Sequence, residues 1–328
     1  MGGNMRQGNK PCFKKHLAAW FIVFAALVQA ACSTGSGFPE HEGFVDVTGG
    51  KVWYRIVGSG SATPIILLHG GPGSASDYLK PLEKIAADRP VIFYDQLGCG
   101  RSDRPDNRDL WRIERFVEEL SQLRAALKLK EVHIYGHSWG TMLAVDYMLT
   151  QPPGVKGLIL AGPCLSSRRW VEDANTLIEE LPAGTRLAIR RYERGDIAAT
   201  SKDYEEAVVE YLKHHMCRLN PWPPELMTAF QMSNPEIYGI MWGVSEFHPT
   251  GNLKTYERVD RLHEIKVPTF FTAGRHDEAT PGATAWYRSH VPDSSLRIFE
   301  KSAHLGMFEE PEAYVESIRE FLKHIENR

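Results

Sequence analysis

Apolar residues from position 40 onward follow two alternating patterns, and each pattern predicts one kind of element. Short, largely apolar runs that are typical of buried strands occupy residues 51–57, 64–69, 91–94, 132–135 and 157–160. Between two of these runs, apolar side chains recur at helical steps of three and four residues, at Ile113, Phe116, Val117, Leu120, Leu123 and Leu127. Short strands separated by amphipathic helices predict an α/β fold, in which helices cover both faces of a mostly parallel sheet.

The pattern changes in the middle of the chain. Residues 166–261 form a helical, charged and aromatic stretch without a comparable strand. Two further strands and a closing helix are then predicted at residues 268–272, 296–299 and 311–325. We therefore expect a core built from residues 40–165 and 262–328, with a helical cap at 166–261 inserted between its two parts.

The first forty residues differ in composition from the rest. Basic residues precede an apolar run at 17–28, small residues follow it, and no acidic residue occurs before position 40. Because crossing a membrane takes about twenty apolar residues, this shorter run predicts a signal peptide at 1–31 rather than a transmembrane helix. Cleavage after Ala30 and lipidation of Cys32 both fit, although Gln29 stands where a lipoprotein signal usually has an aliphatic residue. We expect export, either to the periplasm or to a membrane through a lipid anchor.

Composition and charge narrow the functional classes. Of the 328 residues, 43% are hydrophobic and 24% are charged, which is typical of a globular protein and not of a disordered one. The net charge of −3 provides no positive field that would displace counterions from a nucleic acid. Nucleic-acid binding is therefore not expected.

Cysteine usage argues against a metal centre. Cys99, Cys164 and Cys217 are the cysteines beyond the predicted signal, so at most one disulfide can form. No pair of cysteines has zinc-type spacing. His214 and His215 are the nearest alternative, but adjacent residues on a helix point in different directions. We expect neither a metal nor an organic cofactor.

The first chemical motif is Gly-His-Ser-Trp-Gly at residues 136–140. It directly follows the predicted strand 132–135 and directly precedes an apolar helical pattern at 142–148. A serine at a sharp turn from strand to helix stands exposed above the sheet, and glycines beside it permit close backbone approach. This context favours Ser138 as a nucleophile over a surface turn serine.

A second motif, His-Gly-Gly-Pro-Gly at residues 69–73, follows the strand at 64–69. A negatively charged tetrahedral intermediate needs backbone N–H donors that are already in place, and a glycine loop brings such donors close without side-chain clashes. In the strand-turn-serine arrangement, one donor comes from this loop and the other from the residue after the nucleophile. We expect the oxyanion hole at the N–H groups of Gly71 and Trp139.

A serine hydroxyl needs a base, and the base needs a carboxylate to hold it in one tautomer. Asp277 follows the strand at 268–272, and His304 follows the strand at 296–299. Both therefore lie on loops beyond strand ends, in the order serine, acid, histidine that accompanies this type of serine turn. We expect Ser138, Asp277 and His304 to form a catalytic triad.

The cap is rich in aromatic residues, namely Trp170, Trp222, Phe230, Tyr238 and Trp242. Aromatic side chains are more often part of a core than of a ligand pocket. In a cap above the site they are also suited to line a pocket for an apolar ring or another apolar side chain. Both interpretations stay open at this point.

Several motifs together resemble the proline iminopeptidase family of α/β-hydrolases. They are residues 69–73, Tyr-Asp-Gln-Leu-Gly-Cys-Gly-Arg-Ser at 94–102, 136–140, 274–281 and the segment around His304. The resemblance extends over the chain beyond the signal and implies an α/β-hydrolase fold with a cap. Within the family, the segments at 214–224 and 245–248 are most similar to bacterial L-amino acid amidases such as L-proline amide hydrolase.

The resemblance also implies residues that bind the substrate. The family holds the free α-ammonium group with acidic residues, and the matching positions are Glu246 in the cap and Glu278 beside Asp277. Fixed carboxylates would act as a ruler from the amine to the scissile carbonyl, through charge-assisted hydrogen bonds.

We expect a serine hydrolase that releases proline or a small apolar N-terminal residue from short peptides or amino acid amides through an acyl-enzyme. Whether the leaving group is a peptide or ammonia stays open. An exported esterase-like or lipase-like hydrolase shares the same triad but needs no free amine. A ligand-binding protein on the same fold would normally have lost a triad residue, and none is lost here.

Overall fold

The computed structural model describes residues 40–328, so the predicted signal at 1–31, with Ala30 and Cys32, lies outside the described residues. The strands are β1 (His41–Val47), β2 (Gly50–Val57), β3 (Ile65–Leu68), β4 (Val91–Tyr94), β5 (Val132–His137), β6 (Val155–Ala161), β7 (Gly243–Ser245), β8 (His248–Pro249), β9 (Thr269–Gly274) and β10 (Ser294–Phe299). The α-helices are α1 (Ile113–Ala126), α2 (Trp139–Leu149), α3 (Ser167–Glu179), α4 (Ala183–Glu193), α5 (Lys202–His215), α6 (Pro224–Gln231), α7 (Pro235–Met241), α8 (Pro281–Ser289), α9 (Gly306–Glu309) and α10 (Pro311–Glu326).

Eight strands form one twisted sheet in the order β1-β2-β4-β3-β5-β6-β9-β10. Strand β2 runs antiparallel to both of its neighbours, and all other pairs in the sheet are parallel. The expected α/β fold with a mostly parallel sheet is therefore confirmed. The carboxyl ends of β3, β5, β9 and β10 lie at the same edge of this sheet, which is where α/β sheets place their chemistry.

The central strands are buried on both faces of the sheet, which explains why they are continuous apolar runs in the sequence. In β3, Ile66 and Leu68 pack into the hydrophobic cluster on one face of the sheet, together with residues of α1 and α2. Ile65 and Leu67 pack into the cluster on the other face, together with residues of α10. Both faces of the strand are covered, so no polar position interrupts it.

Helices α3 to α7 and the hairpin β7–β8 lie between β6 and β9 along the chain. Their own small core contains Ile178, Ile189, Tyr204, Tyr211 and Phe247. Helix α3 begins where the Ser166 hydroxyl accepts a hydrogen bond from the N–H of Arg169, as expected of an N-cap.

The predicted strands and helices outside the cap are confirmed to within a few residues. Strand β1, the hairpin β7–β8 and the helices α8 and α9 were not predicted. Strand β1 lies at the sheet edge with most of its side chains exposed, so its sequence lacks an apolar run. The hairpin β7–β8, with strands of three and two residues, is too short to produce a pattern in the otherwise helical segment.

Within residues 40–328, no helix combines the length and the apolar character that a membrane crossing requires. Cys99, Cys164 and Cys217 are all buried and free. Each therefore contributes to packing as a small apolar side chain.

Candidate active site

Ser138 is the single residue between β5 and α2, at the turn that the sequence predicts. Its backbone has φ 56° and ψ −123°, which places a residue with a Cβ atom in a strained region. The flanking glycines make this turn possible. A Cβ atom on Gly140 would clash with the carbonyl oxygen of Leu68, and one on Gly136 would clash with the carbonyl of Gly140. Strand, turn and helix are thus packed too tightly for any larger residue at those two positions.

Asp277 and His304 meet on the loops that follow β9 and β10. His304 Nδ1 lies 2.6 Å from Asp277 Oδ1. The same oxygen accepts a hydrogen bond from the N–H of Ala279 (2.7 Å), and Oδ2 accepts one from the N–H of Gly274 (3.2 Å). These donors fix the carboxylate, which in turn holds the imidazole with its proton on Nδ1. His304 Nε2 has no hydrogen-bond partner in the part of the chain that the structure describes.

The charge of Asp277 controls the titration of His304. Burial alone would lower the pKa of His304, but the Asp277 carboxylate outweighs burial and raises this pKa above its usual 6.5. The Glu246 carboxylate adds to the same effect. A basic imidazole beside a cavity is what general base catalysis requires.

The glycine loop after β3 presents an unused backbone donor. Gly71 has φ +113°, a conformation that favours glycine. The N–H of Gly70 donates to the Tyr78 hydroxyl at 2.6 Å. By contrast, the N–H groups of Gly71 and Trp139 donate to no acceptor within residues 40–328. Two free donors beside Ser138 provide the arrangement that an oxyanion hole needs.

A buried hydrogen-bond chain connects the glycine loop to the His304 loop, and sequence reasoning missed it. The Tyr78 hydroxyl lies 3.0 Å from His137 Nδ1, and His137 Nε2 lies 2.9 Å from the His304 carbonyl oxygen. Burial lowers the pKa of His137 well below 6.5, and the positive charge of His304 lowers it further. A neutral His137 accepts from Tyr78 at one nitrogen and donates to His304 at the other. The position of His137 inside the serine motif was the one available indication.

Gln96 supports the same region from the segment at 94–102. Its side-chain NH₂ donates to the His69 carbonyl at 3.0 Å, and its side-chain oxygen accepts from Trp139 Nε1 at 2.9 Å. Gln96 thereby ties the glycine loop to the first residue of α2. This gives the segment a structural role that its sequence alone did not reveal.

One cavity of about 220 Å³ brings most of the predicted site residues together. Its walls include the following predicted residues: Gly71, Ser138, Glu246, Glu278 and His304. Trp139 lines a smaller adjoining cavity, which shares Gly71, Ser138 and Glu246 with the larger one. Asp277 lies behind His304 and is 2% exposed, so it reaches the cavity only through the imidazole.

Glu278 and Glu246 place two carboxylates in this cavity, whose lining within residues 40–328 includes no lysine or arginine. Glu278 is buried, its Oε1 lies 4.0 Å from His304 Nε2, and its Oε2 has no hydrogen-bond partner in the described part of the chain. Burial raises the pKa of Glu278 well above 4.5, and the negative charges of Glu246 and Asp277 raise it further. Burial also raises the pKa of Glu246, against the opposing effects of Tyr238 and His304. Two poorly solvated carboxylates favour a positively charged ligand.

The aromatic residues of the cap divide between the two cavities. Phe230 and Tyr238 line the larger cavity, whereas Trp170 and Trp242 line the smaller one. Trp222 lines neither of them, and packs against Phe230 with ring centroids 5.9 Å apart. Four of the five cap aromatics therefore face the site.

His215 contributes to the site through its backbone carbonyl group. Its carbonyl oxygen accepts hydrogen bonds from the N–H groups of Glu278 (3.2 Å) and His304 (3.3 Å). The end of α5 therefore holds both loops of the site against the cap, and sequence reasoning missed this role. Among the described residues, no three His, Cys, Asp or Glu side chains gather as they would around a metal ion.

Cys99 does not have the surroundings of a reactive thiol. Its Sγ lies 3.6 Å from His69 Nε2, a neighbour that the sequence did not indicate. Burial nevertheless raises the pKa of the Cys99 thiol well above 9, and the negative charge of Asp95 raises it further. The thiol stays protonated at neutral pH and packs as an apolar side chain.

Comparison with known proteins gives consistent results. Residues 63–311 match the family model described as alpha/beta hydrolase fold. The chain is 48% identical to the proline iminopeptidase of Heyndrickxia coagulans, over 87% of this chain and 99% of that protein. It is 37% identical to the proline iminopeptidase of Clostridium botulinum, over 86% and 97% of the two chains. The crystal structure of the Mycobacterium smegmatis proline iminopeptidase superposes with a TM-score of 0.81 at 33% identity, over 87% of this chain and 98% of that one. The chain therefore belongs to the proline iminopeptidase family of α/β-hydrolases.

Proposed function

We propose that this protein is a serine aminopeptidase that releases proline, or a small apolar residue, from the free N-terminus of short peptides or amino acid amides. One observation carries the proposal. A single cavity, whose lining within residues 40–328 includes no lysine or arginine, holds a serine at a strained turn, a histidine oriented by a buried aspartate, and two carboxylates. The names of the similar proteins support the same activity.

The catalytic cycle begins with attack of Ser138 Oγ on the scissile carbonyl carbon. His304 Nε2 takes the hydroxyl proton, and Asp277 stabilises the imidazolium that results. The N–H groups of Gly71 and Trp139 hold the oxyanion of the tetrahedral intermediate. As this intermediate collapses, His304 returns the proton to the leaving nitrogen, and the N-terminal residue stays bound to Ser138 as an ester.

A water molecule completes the cycle. His304 takes a proton from the water as its oxygen attacks the ester, and the collapse of the second intermediate returns that proton to Ser138 Oγ. The products are the free amino acid and the shortened peptide or the amine. No redox partner or metal is needed to balance these steps.

Glu246 and Glu278 fix the length of the released segment. Charge-assisted hydrogen bonds from an α-ammonium group to these carboxylates set the distance between the amine and Ser138. A residue with a free amine then presents its own carbonyl to the nucleophile, whereas an internal residue has no charge to offer. Binding of the cation also relieves the cost of two buried like charges.

The smaller cavity borders Ser138 and measures about 10 Å³, which is the space of one water molecule, so the side chain of the released residue enters it only as its walls move apart. Its walls next to Ser138 include Met142, Cys164, Trp170 and Trp242, and it adjoins Glu246. An enclosed apolar space with a carboxylate at its edge favours a compact ring such as that of proline, whose nitrogen carries the positive charge. This assignment gives the cap aromatics a function beyond packing.

Product analysis tests the proposed function. We expect the full-length protein to release free proline from Pro-Leu-Gly-amide and to leave Gly-Pro-Leu-amide uncleaved after proline. Mass spectrometry of both digests identifies the bond that is cut. Cleavage on the carboxyl side of the internal proline would contradict the proposal, because that cut needs no terminal amine at the glutamates.

The pH dependence of catalysis follows from the raised pKa of His304. Because only the neutral imidazole accepts the serine proton, kcat/KM falls as the pH drops through this pKa. We expect the midpoint of the acid limb above pH 6.5, measured with p-nitrophenyl acetate after subtraction of the Ser138→Ala background. An ester without an amine is used because its hydrolysis reports the titration of His304 alone. The raised pKa values of Glu246 and Glu278 would affect the binding of amine substrates as well. A midpoint below 6.5 would contradict the Asp277–His304 assignment.

We also propose that the protein is exported through the segment at 1–31. The basic residues, the short apolar run and the small residues after it support this proposal. Intact mass after expression in a bacterium with a periplasm distinguishes cleavage after Ala30 from a lipid on Cys32. Full-length protein confined to the cytoplasm would contradict export.

A further inference from the structure

The larger cavity extends beyond Ser138 and His304. Besides polar residues such as Ser233 and Asn234, its wall includes apolar side chains, namely Met216 at the end of α5, Leu226 and Phe230 of α6, and Leu305 next to His304. Phe230 is 40% exposed although its ring is fully apolar. Trp222 packs against the ring of Phe230. Such a wall loses contact with water when an apolar group covers it, which is the driving force for binding.

The position of His304 determines which part of the substrate occupies this wall. His304 must protonate the leaving nitrogen, so the leaving group departs on the side of Ser138 where His304 lies. His304 and Leu305 line the larger cavity, and neither lines the smaller one. The leaving group therefore extends along the larger cavity, on the side of Ser138 where His304 and Leu305 lie.

The charge of the larger cavity restricts that leaving group further. Among the described residues, its lining contains no lysine or arginine, but it contains Glu246 and Glu278. A dipeptide would bring its carboxylate into this cavity, where Glu246 and Glu278 already bind the single α-ammonium group and no lysine or arginine of the described lining is left to pair with it. Like charges in a poorly solvated site repel strongly, so a free carboxylate there is unfavourable.

We propose that the apolar wall of the larger cavity is a subsite for an uncharged, hydrophobic leaving group, as supplied by a second hydrophobic residue of a peptide that continues beyond it. The inference rests on the proposed function and makes it more specific. It favours peptides of three or more residues over dipeptides and over simple amides that release ammonia. Of the two alternatives that the sequence left open, the proposed subsite favours the peptidase over the amidase.

A set of four substrates tests this subsite on the full-length protein: L-prolinamide, Pro-Gly-amide, Pro-Phe-amide and Pro-Phe with a free carboxylate. We expect kcat/KM for Pro-Phe-amide to exceed that for Pro-Gly-amide and that for the free dipeptide by about tenfold or more each. Phe230→Ala should lower kcat/KM for Pro-Phe-amide by about tenfold and change that for prolinamide by less than about twofold.

Met227→Ala is the matched control. Met227 lies on α6 like Phe230 and is 41% exposed, but it does not line the cavity. We expect this variant to keep the activity of the native protein on all four substrates. Thermal unfolding of both variants separates a binding effect from a loss of folded protein.

The outcomes distinguish this subsite from the proposed function. Equal kcat/KM for Pro-Phe-amide and Pro-Gly-amide would overturn the subsite, and so would equal losses of activity in Phe230→Ala and Met227→Ala. In either case, turnover of prolinamide would still support the aminopeptidase activity. A free dipeptide that is cleaved as fast as its amide would overturn the charge restriction. If none of the four substrates is cleaved, the proposed function fails and the subsite fails with it.

Discussion

Replacement of Ser138 by alanine is expected to lower kcat/KM for L-prolinamide by at least about four orders of magnitude. The variant keeps the oxyanion donors and the carboxylates, but it has no atom to form the acyl-enzyme. Alanine also fits the strained turn no worse than serine, so the fold is retained. Steady-state kinetics on the purified variant measure the loss, and a fluorophosphonate probe should label the native protein but not the variant.

Ser74→Ala is the control for this experiment. Ser74 lies in the wall of the same cavity, and the change removes the same hydroxyl group from a different position. We expect its kcat/KM to stay within about threefold of the native value, as is usual for a surface-accessible polar group outside the reacting set. Comparable losses in the two variants, or more than about 1% residual activity in Ser138→Ala, would contradict the assignment of the nucleophile.

Replacement of Glu278 by glutamine is expected to raise KM for L-prolinamide by about ten- to a hundredfold. Glutamine keeps the size of the side chain but removes the charge that attracts the ammonium group. Hydrolysis of p-nitrophenyl acetate, which has no amine, should change by less than about threefold, because Ser138, His304 and Asp277 are untouched. The ratio between the two substrates is therefore the informative quantity.

Glu225→Gln is the matched control, because Glu225 is a cap glutamate that pairs with Lys80 at 3.5 Å and does not line the cavity. This variant should behave like the native protein with both substrates. Glu246→Gln should resemble Glu278→Gln, and the double variant should lose less than the product of the two effects, because both groups act on one ammonium. Equal losses on the amide and the ester would mean that Glu278 acts through the geometry of His304 and not on the amine.

The sequence predicts the parallel sheet and the positions of the reacting groups because both depend on local patterns. Strands β3, β5 and β9 are buried on both faces, so each is visible as a largely apolar run, whereas the edge strand β10 is visible only through its short apolar end at residues 296–299. The groups that follow their carboxyl ends converge by topology alone. This is why Asp277 and His304, 27 positions apart, were found without any knowledge of their contact at 2.6 Å.

Other features of the site depend on contacts between distant segments, which no local pattern reveals. Tyr78 reaches His137 across 59 positions of sequence, and the His215 carbonyl binds the N–H groups of both Glu278 and His304. Tyr78 supports the site through its phenol hydroxyl and His215 through its backbone oxygen. No sequence motif reveals contacts of either kind. The same holds for the presence of Glu246 and Glu278 in one cavity. The resemblance to the family indicated it, whereas the positions of the two residues in the sequence did not.

The role of the cap aromatics was also undetermined by sequence. An aromatic residue in the cap is more often part of a core, but its sequence context does not exclude a pocket wall. Trp170 and Trp242 pack against each other with ring centroids 5.9 Å apart and also border the smaller cavity, so they do both. Only the fold of the whole cap determines which part of each ring faces the substrate.

The central claim is that the site recognises a free N-terminal amine. The most direct measurement compares kcat/KM of the full-length protein for L-prolinamide and N-acetyl-L-prolinamide, with Ser138→Ala as the background. Acetylation removes the positive charge and leaves the scissile bond unchanged, so we expect the acetylated compound to react at least about a hundredfold more slowly. Equal rates for the two compounds would contradict the role of Glu246 and Glu278 and would instead support an esterase-like hydrolase without an amine requirement.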